Sequence, residues 1–250
     1  MDANLTRAAI PCRFIIMKTV ILALFLAAST LFAADGVFYV DKSVETRVIA
    51  QNGATTTNVL PSGATGFVGN STITELRPSE KTTFRLPSGP IISADGGSVF
   101  SINVFDLEVK NLTNQPCLAE FGSHNISIVI TKGNLNVTYP AQDENSSFTI
   151  ASPLAMYQLN KGQFIFQISD QKSLVYVLDG MMTVHGDKSR TDSAKKGSKS
   201  ITGQIDTEVA TTTRPINQQE SSTLATMQTK DSASVYFIVI DGRVRGVRLP

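Results

Sequence analysis

The chain has no tryptophan, two cysteines and two histidines among its 250 residues, and its formal net charge is only +1. The near-neutral charge argues against a nucleic-acid binder, which would carry a basic surface. His124 and His185 are far apart in the sequence, and neither has a second ligand at the spacing that a zinc site needs. We therefore expect no metal, no cofactor and no catalytic residue, and we interpret the protein as a non-enzyme.

Fragments of enzyme motifs occur, but each lacks its companions. Residues 193–196 match the S-x-x-K pattern of penicillin-binding enzymes without the other motifs of that class. The glycine-rich stretch 63–69 is not followed by the Gly-Lys-Ser/Thr of a phosphate-binding loop. Asp106 and Glu108 lie on one face of a predicted strand, where two acids are more often solvated than a glycosidase pair.

The N-terminal stretch MKTVILALFLAASTLFAADG, residues 17–36, has the layout of a secretory signal peptide. A basic Lys18 precedes a short apolar run and then small residues, and the run is shorter than a comfortable membrane span. We predict cleavage after Ala33 or Ala34 and a periplasmic or cell-surface location. Residues 1–16 are then an upstream extension from a misplaced start, and an uncleaved anchor with a short cytoplasmic stub is the alternative.

Removal of that leader leaves Cys117 as the only cysteine, so the exported chain has no internal disulfide and depends on packing. We expect Cys117 to be a free, buried thiol. A reactive or intermolecular thiol is the other possibility.

Residues 35–185 consist of short stretches rich in Val, Ile, Phe, Tyr and Thr that alternate with period two and end at Gly, Pro, Asn or Asp. This pattern predicts an all-β domain, a sandwich or barrel-like structure of many short strands with little helix and a bulge near Asp106. The predicted strands are 37–50, 66–76, 82–86, 97–112, 124–139, 147–152, 155–159, 163–169, 173–180 and 181–186.

The last part of the chain changes character twice. Residues 186–234 are polar and rich in Ser and Thr, which predicts a flexible linker or a long loop. Residues 235–250 then form a predicted β-hairpin with an Asp241-Gly242 turn. This hairpin could join the main sheet, form a small appendage, or dock on a partner as an added strand.

Two groups of basic residues are the candidate binding residues. Arg243 and Arg245 share one face of the predicted hairpin and could contact carboxylates of a partner. The other group is either a solvated part of the linker or a patch for anionic cell-wall polymer or lipid head groups. Its members are Lys188, Arg190, Lys195, Lys196 and Lys199.

The segment 132–185 resembles the periplasmic domain of FecR-like proteins. The resemblance rests on Gly133, the Ser152-Pro153 step, Gly162-Gln163-Phe164, a turn at 169–172 and Val177-Leu178-Asp179-Gly180. It implies an exported all-β domain that works by contact with another envelope component. The best-known members also carry a cytoplasmic region that restrains a sigma factor, and residues 1–16 are too short for it, so we do not expect that role.

Together these observations predict an exported, non-enzymatic binding or scaffolding module of the bacterial cell envelope. Its expected partner is an envelope protein or a cell-wall polymer, with no nucleic acid, and with membrane contact only if the signal segment is uncleaved. A surface adhesin or polysaccharide-binding protein is the alternative, although such proteins often stack sugars on Trp and Tyr, and this chain has no Trp and five Tyr. A hydrolase on a β scaffold and an anchored sensor are further alternatives.

Overall fold

The computed structural model describes residues 33–35, 37–49, 54–63, 65–67, 73–76, 80–140, 144–186, 191–205, 208–227 and 235–248. The predicted extension and nearly all of the predicted signal peptide lie outside these residues. The described strands are β1 (Ala33–Asp35), β2 (Val37–Val40), β3 (Val44–Ile49), β4 (Thr55–Leu60), β5 (Thr65–Phe67), β6 (Ile73–Leu76), β7 (Thr82–Arg85), β8 (Ile91–Ala94), β9 (Val99–Val109), β10 (Cys117–Leu118), β11 (Phe121–Tyr139), β12 (Ser147–Ala151), β13 (Met156–Ile168), β14 (Lys172–His185), β15 (Thr191–Lys195), β16 (Ser198–Ile205), β17 (Glu208–Pro215), β18 (Val235–Ile240) and β19 (Arg243–Arg248), and helix α1 is Gln218–Met227.

The long strands β11, β13 and β14 fold back on themselves. On β13 the rings of Tyr157 and Phe166 lie 5.4 Å apart, although nine residues separate them along the strand. A straight strand would place them about 30 Å apart at about 3.3 Å per residue. On β11, likewise, the Nε2 atom of His124 lies 3.1 Å from the hydroxyl of Tyr139. Each long strand therefore contributes one half to each of two facing layers.

The strand pairings define the two layers. One layer runs β4-β3-β6-β9-β11-β12-β13-β14-β15, and the other runs β5-β2-β7-β8-β11-β13-β14-β16-β17. Rings from the two layers meet edge to face between them, with Phe84 on Phe100 at 5.5 Å and Tyr139 on Phe148 at 5.1 Å. The predicted all-β sandwich is confirmed. The bulge expected near Asp106 lies at Asn103, where the pairing of β9 with β11 skips one residue.

A pair of glycines forms the corner of the β13–β14 hairpin. Gly162 lies opposite Gly180, and the register between the strands shifts on both sides of this pair. A Cβ atom on Gly162 would lie 2.1 Å from the carbonyl oxygen of Asp179, and one on Gly180 would lie 1.7 Å from that of Lys161. A side chain at either position would therefore obstruct the opposite backbone, and the two glycines lie within two continuous bent strands.

The prediction of a flexible linker or long loop is wrong for residues 191–205 and 208–227, which contain β15, β16, β17 and α1. The polar composition was misleading because hydroxyl groups pair across these strands, as between Thr202 and Thr211 with their Oγ1 atoms 3.0 Å apart. The backbones of β15 and β16 also pair with β14, so few apolar side chains are needed. Ala194 and Leu224 supply buried apolar contacts on opposite sides of the sheet.

Helix α1 covers the outer face of the half of the β13–β14 hairpin that contains Ile165 and Tyr176. Leu224 packs there against Ile165 and Tyr176, which explains why consecutive residues of β13 are buried on both faces. The helix begins with a reciprocal cap, in which Glu220 N donates to Asn217 Oδ1 at 2.8 Å and Asn217 N donates to Glu220 Oε2 at 3.0 Å. Lys199 of β16 forms an ion pair with Glu220. Within the described residues no helix is both long and apolar enough to span a membrane.

The predicted C-terminal hairpin is present and forms a separate three-stranded sheet with β10, in the order β10-β18-β19. Its turn has positive φ at both Asp241 (50°) and Gly242 (69°), as an Asp-Gly hairpin turn requires. The sheet rests on the sandwich at two places. Phe237 meets Phe121 edge to face at 6.1 Å, and Gly246 lies so close to Tyr39 that a Cβ atom there would be 2.8 Å from the ring.

The corner predicts a large difference between two glycine-to-alanine substitutions. Gly180 and Gly197 have nearly the same φ, +80° and +78°, but nothing lies within 4 Å of a Cβ atom built on Gly197. Both substitutions cost about 1–2 kcal/mol for the left-handed backbone. Gly180→Ala adds a backbone collision, so we expect it to lower the free energy of unfolding by about 3 kcal/mol or more. Urea unfolding followed by circular dichroism measures both, and equal losses would contradict the proposed corner.

The helix cap predicts a pH dependence. The hydrogen bond from Lys199 and the backbone N–H of Asn217 hold the pKa of the Glu220 carboxyl below its ordinary value near 4.5. A lowered pKa in the folded state stabilises the fold above the unfolded-state pKa, and this contribution is lost as the pH falls through the folded-state value. We expect the thermal midpoint of Glu220→Gln to lie below that of the native chain at pH 7. The two midpoints should converge as the pH is lowered below 4, and a constant difference would exclude this role.

Candidate functional site

The residues considered for catalysis have structural roles or stand alone. His124 is buried and its Nε2 contacts the Tyr139 hydroxyl, whose pKa is raised by burial. His185 lies 3.4 Å from the Thr191 hydroxyl. Glu108 accepts hydrogen bonds from the backbone and hydroxyl of Ser123. In the part of the chain that the structure describes, no three His, Cys, Asp or Glu residues are grouped as they would be to hold a metal.

The basic group of residues 188–199 is divided in the structure. Lys188 and Arg190 lie outside the described residues. Lys195 and Lys196 are exposed at the turn between β15 and β16, and Lys196 forms an exposed ion pair with Asp179 at 3.2 Å. Lys199 points to the other side of the sheet, where it holds helix α1 through Glu220. Of this group, only the turn therefore remains as a described candidate contact.

Arg243 and Arg245 are exposed on one face of the C-terminal sheet, as predicted. Arg243 pairs with Ile240 and Arg245 with Ile238, and directly opposed residues of an antiparallel pair share a face. The opposite face carries Val239 and Val244, which are buried against the sandwich. The arginine side is thus the outward side of this sheet.

This outward surface, which we call the arginine face, is more apolar than its two charges suggest. Leu118 is 62% exposed and Tyr236 is 44% exposed, although both are large apolar side chains. Neither arginine has an acidic partner within ion-pair distance among the described residues. Its members are Leu118, Tyr236, Ile238, Ile240, Arg243, Arg245 and Val247.

A cleft of about 520 Å³ adjoins the arginine face at Leu118 and Tyr236. One wall is the turn between β7 and β8, with Leu86, Pro90 and Ile91, and the other comes from residues 118–121 and the start of β18. Its volume lies in the range of about 300–1,000 Å³ that is usual for ligand sites, and its walls are mostly apolar. The cleft and the arginine face form one continuous candidate site.

The wall of the cleft is fixed by a buried ion pair. Arg85 donates from Nε and Nη2 to the two carboxylate oxygens of Asp41 at 2.7 and 2.6 Å, and both side chains are largely buried. The pair connects Arg85, the last residue of β7 before the β7–β8 turn, to Asp41, which follows the end of β2. A bidentate contact of this kind is strong and directional, so it holds Arg85 against the wall.

The turn itself contains a strained residue. Ser88 has a φ of 66° and is 5% exposed, although left-handed backbone is uncommon for residues other than glycine. Hydrogen bonds from Leu86 N to Pro90 O and from Gly89 N to Leu86 O close the turn around it. Strain of this kind persists where the surroundings impose it, and it is often found at functional sites. The cleft therefore has a rigid, preformed wall.

Sequence reasoning identified Arg243 and Arg245 but missed the cleft. The Pro87-Ser88-Gly89-Pro90 stretch is a readable turn signal. Its contact with Leu118 and Tyr236 depends on how the C-terminal sheet docks, which no local pattern records. The Asn217 and Glu220 cap of helix α1 was also readable, as an Asn followed three residues later by Glu.

No protein-family model matches the chain, and no curated protein matches it. The solved structures that are similar include two of a protein proposed to be an anti-sigma factor from Parabacteroides distasonis ATCC 8503. One has a TM-score of 0.46 and 15% identity, with 61% of this chain and 63% of that chain covered. The other has a TM-score of 0.46 and 13% identity, with 62% and 65% covered. This chain spans less than two thirds of either, and the likeness assigns no role to its residues.

The buried ion pair predicts unequal losses from two aspartate substitutions. Asp41→Ala leaves the buried Arg85 without its carboxylate, so we expect the free energy of unfolding to fall by about 3 kcal/mol. Asp95→Ala removes the exposed pair with Lys81, at 3.1 Å with side chains 48% and 38% exposed, and should cost at most about 1 kcal/mol. Chemical unfolding of both variants measures the difference. A loss for Asp41→Ala no larger than that of its control would show that the pair does not fix the wall.

Proposed function

We propose that this chain is an exported, non-enzymatic module of the bacterial cell envelope, FecR-like in its β domain, that binds another envelope protein through the arginine face. The support for export is the signal-peptide pattern at 17–36. The support for contact is the arginine face itself, which combines exposed apolar side chains with two arginines that have no described acidic partner. Exposed apolar surface rimmed by charge is typical of protein-binding sites.

The composition of this face favours a protein partner. Arginine and tyrosine are enriched at protein interfaces, and arginine can contact a carboxylate through two parallel hydrogen bonds. The arginines would orient the partner, while the apolar residues Leu118, Tyr236 and Ile238 would provide most of the binding free energy. The exposed turn with Lys195 and Lys196, where Met181 lies opposite Lys195, is the candidate contact for an anionic polymer.

The test is crosslinking in cells, followed by purification from the envelope fraction and mass spectrometry of the partners and of the mature N-terminus. We expect one envelope protein to be recovered reproducibly. Its recovery should fall about tenfold with Arg243→Glu plus Arg245→Glu, because two exposed charge pairs become repulsive. Lys195→Glu plus Lys196→Glu makes the same change of charge at the other site and should leave the recovery unchanged.

Other results would contradict the proposal. Recovery of cell-wall fragments that depends on Lys195 and Lys196 would support a polysaccharide-binding protein instead. Equal recovery of the partner with both double variants would exclude the arginine face as the contact.

A further inference from the structure

The rows of residues on the arginine face, counted from the cleft, repeat at the interval at which side chains repeat along an extended peptide. Residues opposed across β18 and β19 form three rows on this face: Tyr236 with Val247, Ile238 with Arg245, and Ile240 with Arg243. Successive rows are two residues apart, about 6.6 Å at a strand rise of about 3.3 Å per residue. The first row adjoins the cleft through Tyr236, and the second row adjoins it through Leu118, which lies opposite Ile238. An extended peptide repeats its side-chain direction at the same interval.

The chemistry of the rows changes along this line. The cleft end is apolar, with Leu86, Ile91 and Leu118 around it, and the arginine that lines it, Arg85, is bound to Asp41. The second and third rows each present an exposed guanidinium beside an isoleucine. Nearby acids are Asp241 in the hairpin turn and Glu120 in the segment after β10, and neither is paired with these arginines. The first row suits an apolar side chain, and the next two suit carboxylates.

Resting on the proposed function, we infer that the partner presents an extended acidic segment to this surface. One bulky apolar side chain enters the cleft, and carboxylates two and four residues away contact Arg245 and Arg243. The segment lies across the face of the sheet, along β18 and β19, and can run in either direction. A sugar chain or a lipid head group would match the charges but not the combination of an apolar cleft with a two-residue repeat.

Labelled peptides test the inference with the full chain by fluorescence anisotropy. The in-phase probes are Gly-Ser-Phe-Thr-Glu-Thr-Glu-Ser-Gly and its reversed sequence, and the out-of-phase probe is Gly-Ser-Phe-Glu-Thr-Glu-Thr-Ser-Gly. The compositions are identical, but the acids of the last probe point away from the arginines when its Phe enters the cleft. We expect one in-phase probe to bind about tenfold more tightly than the out-of-phase probe. Only the in-phase probe forms two exposed charge pairs with the arginines, and two such pairs account for a difference of this size.

Two variants separate the parts of the site, and a third is their control. Arg243→Glu plus Arg245→Glu should abolish the advantage of the in-phase probe, and Lys195→Glu plus Lys196→Glu should preserve it. Leu118→Asp should weaken both probes about equally, since Leu118 lines the cleft and is too exposed to be needed for folding. Thermal unfolding checks that each variant is folded.

Equal binding of the in-phase and out-of-phase probes would overturn the inference. So would the absence of peptide binding if crosslinking to the envelope partner still depends on the arginines. In that case a folded surface occupies the arginine face, and the proposed function stands. If crosslinking is also insensitive to the arginines, both the inference and the proposed function fail.

Discussion

The sandwich depends on the close approach of two backbones at Gly162 and Gly180. A carbonyl oxygen on each side occupies the position that a Cβ atom would take, so the two strands can turn together without separating. This turn brings Tyr157 over Phe166 and places the two halves of β13 in different layers. Because β14 turns at the same point, one hairpin closes the core and connects both sheets. Strands β15, β16 and β17 attach on one side of this hairpin, and β11, which also contributes to both layers, carries the strands on the other side.

The same arrangement explains why the candidate site lies on an added sheet. Within the sandwich, the core occupies the inner face of the β13–β14 hairpin, and helix α1 covers the outer face of the half that contains Ile165 and Tyr176. The C-terminal sheet instead buries one face, with Val239 and Val244, and exposes the other. Its docking against Tyr39 and Phe121 also creates the cleft beside the rigid turn at Ser88. A stable scaffold thus carries a small sheet with a free face.

The all-β class and the Asp241-Gly242 turn could be predicted because each depends on local chemistry or on period-two patterns. Strands β15, β16 and β17 could not, since their stability comes from strand pairing that begins at β14 and from hydroxyl contacts rather than from their own apolar content. Arg243 and Arg245 could be recognised in the sequence as an alternating pair on one predicted strand. Leu118 and Tyr236 were not, because they are distant in sequence and meet only through the β10–β18 pairing and the docked cleft.

In the proposed function, the arginines and the cleft contribute differently to binding because they differ in how far their side chains leave water. Exposed ion pairs contribute little affinity in water but favour one orientation of a partner and reject acidic-poor or basic surfaces. Apolar side chains that leave water contribute most of the binding free energy, and here they surround a cleft whose wall is held by Arg85 and Asp41. A preformed wall also reduces the entropy lost on binding. In the proposed function, the arginines select and align the partner, while the cleft retains it.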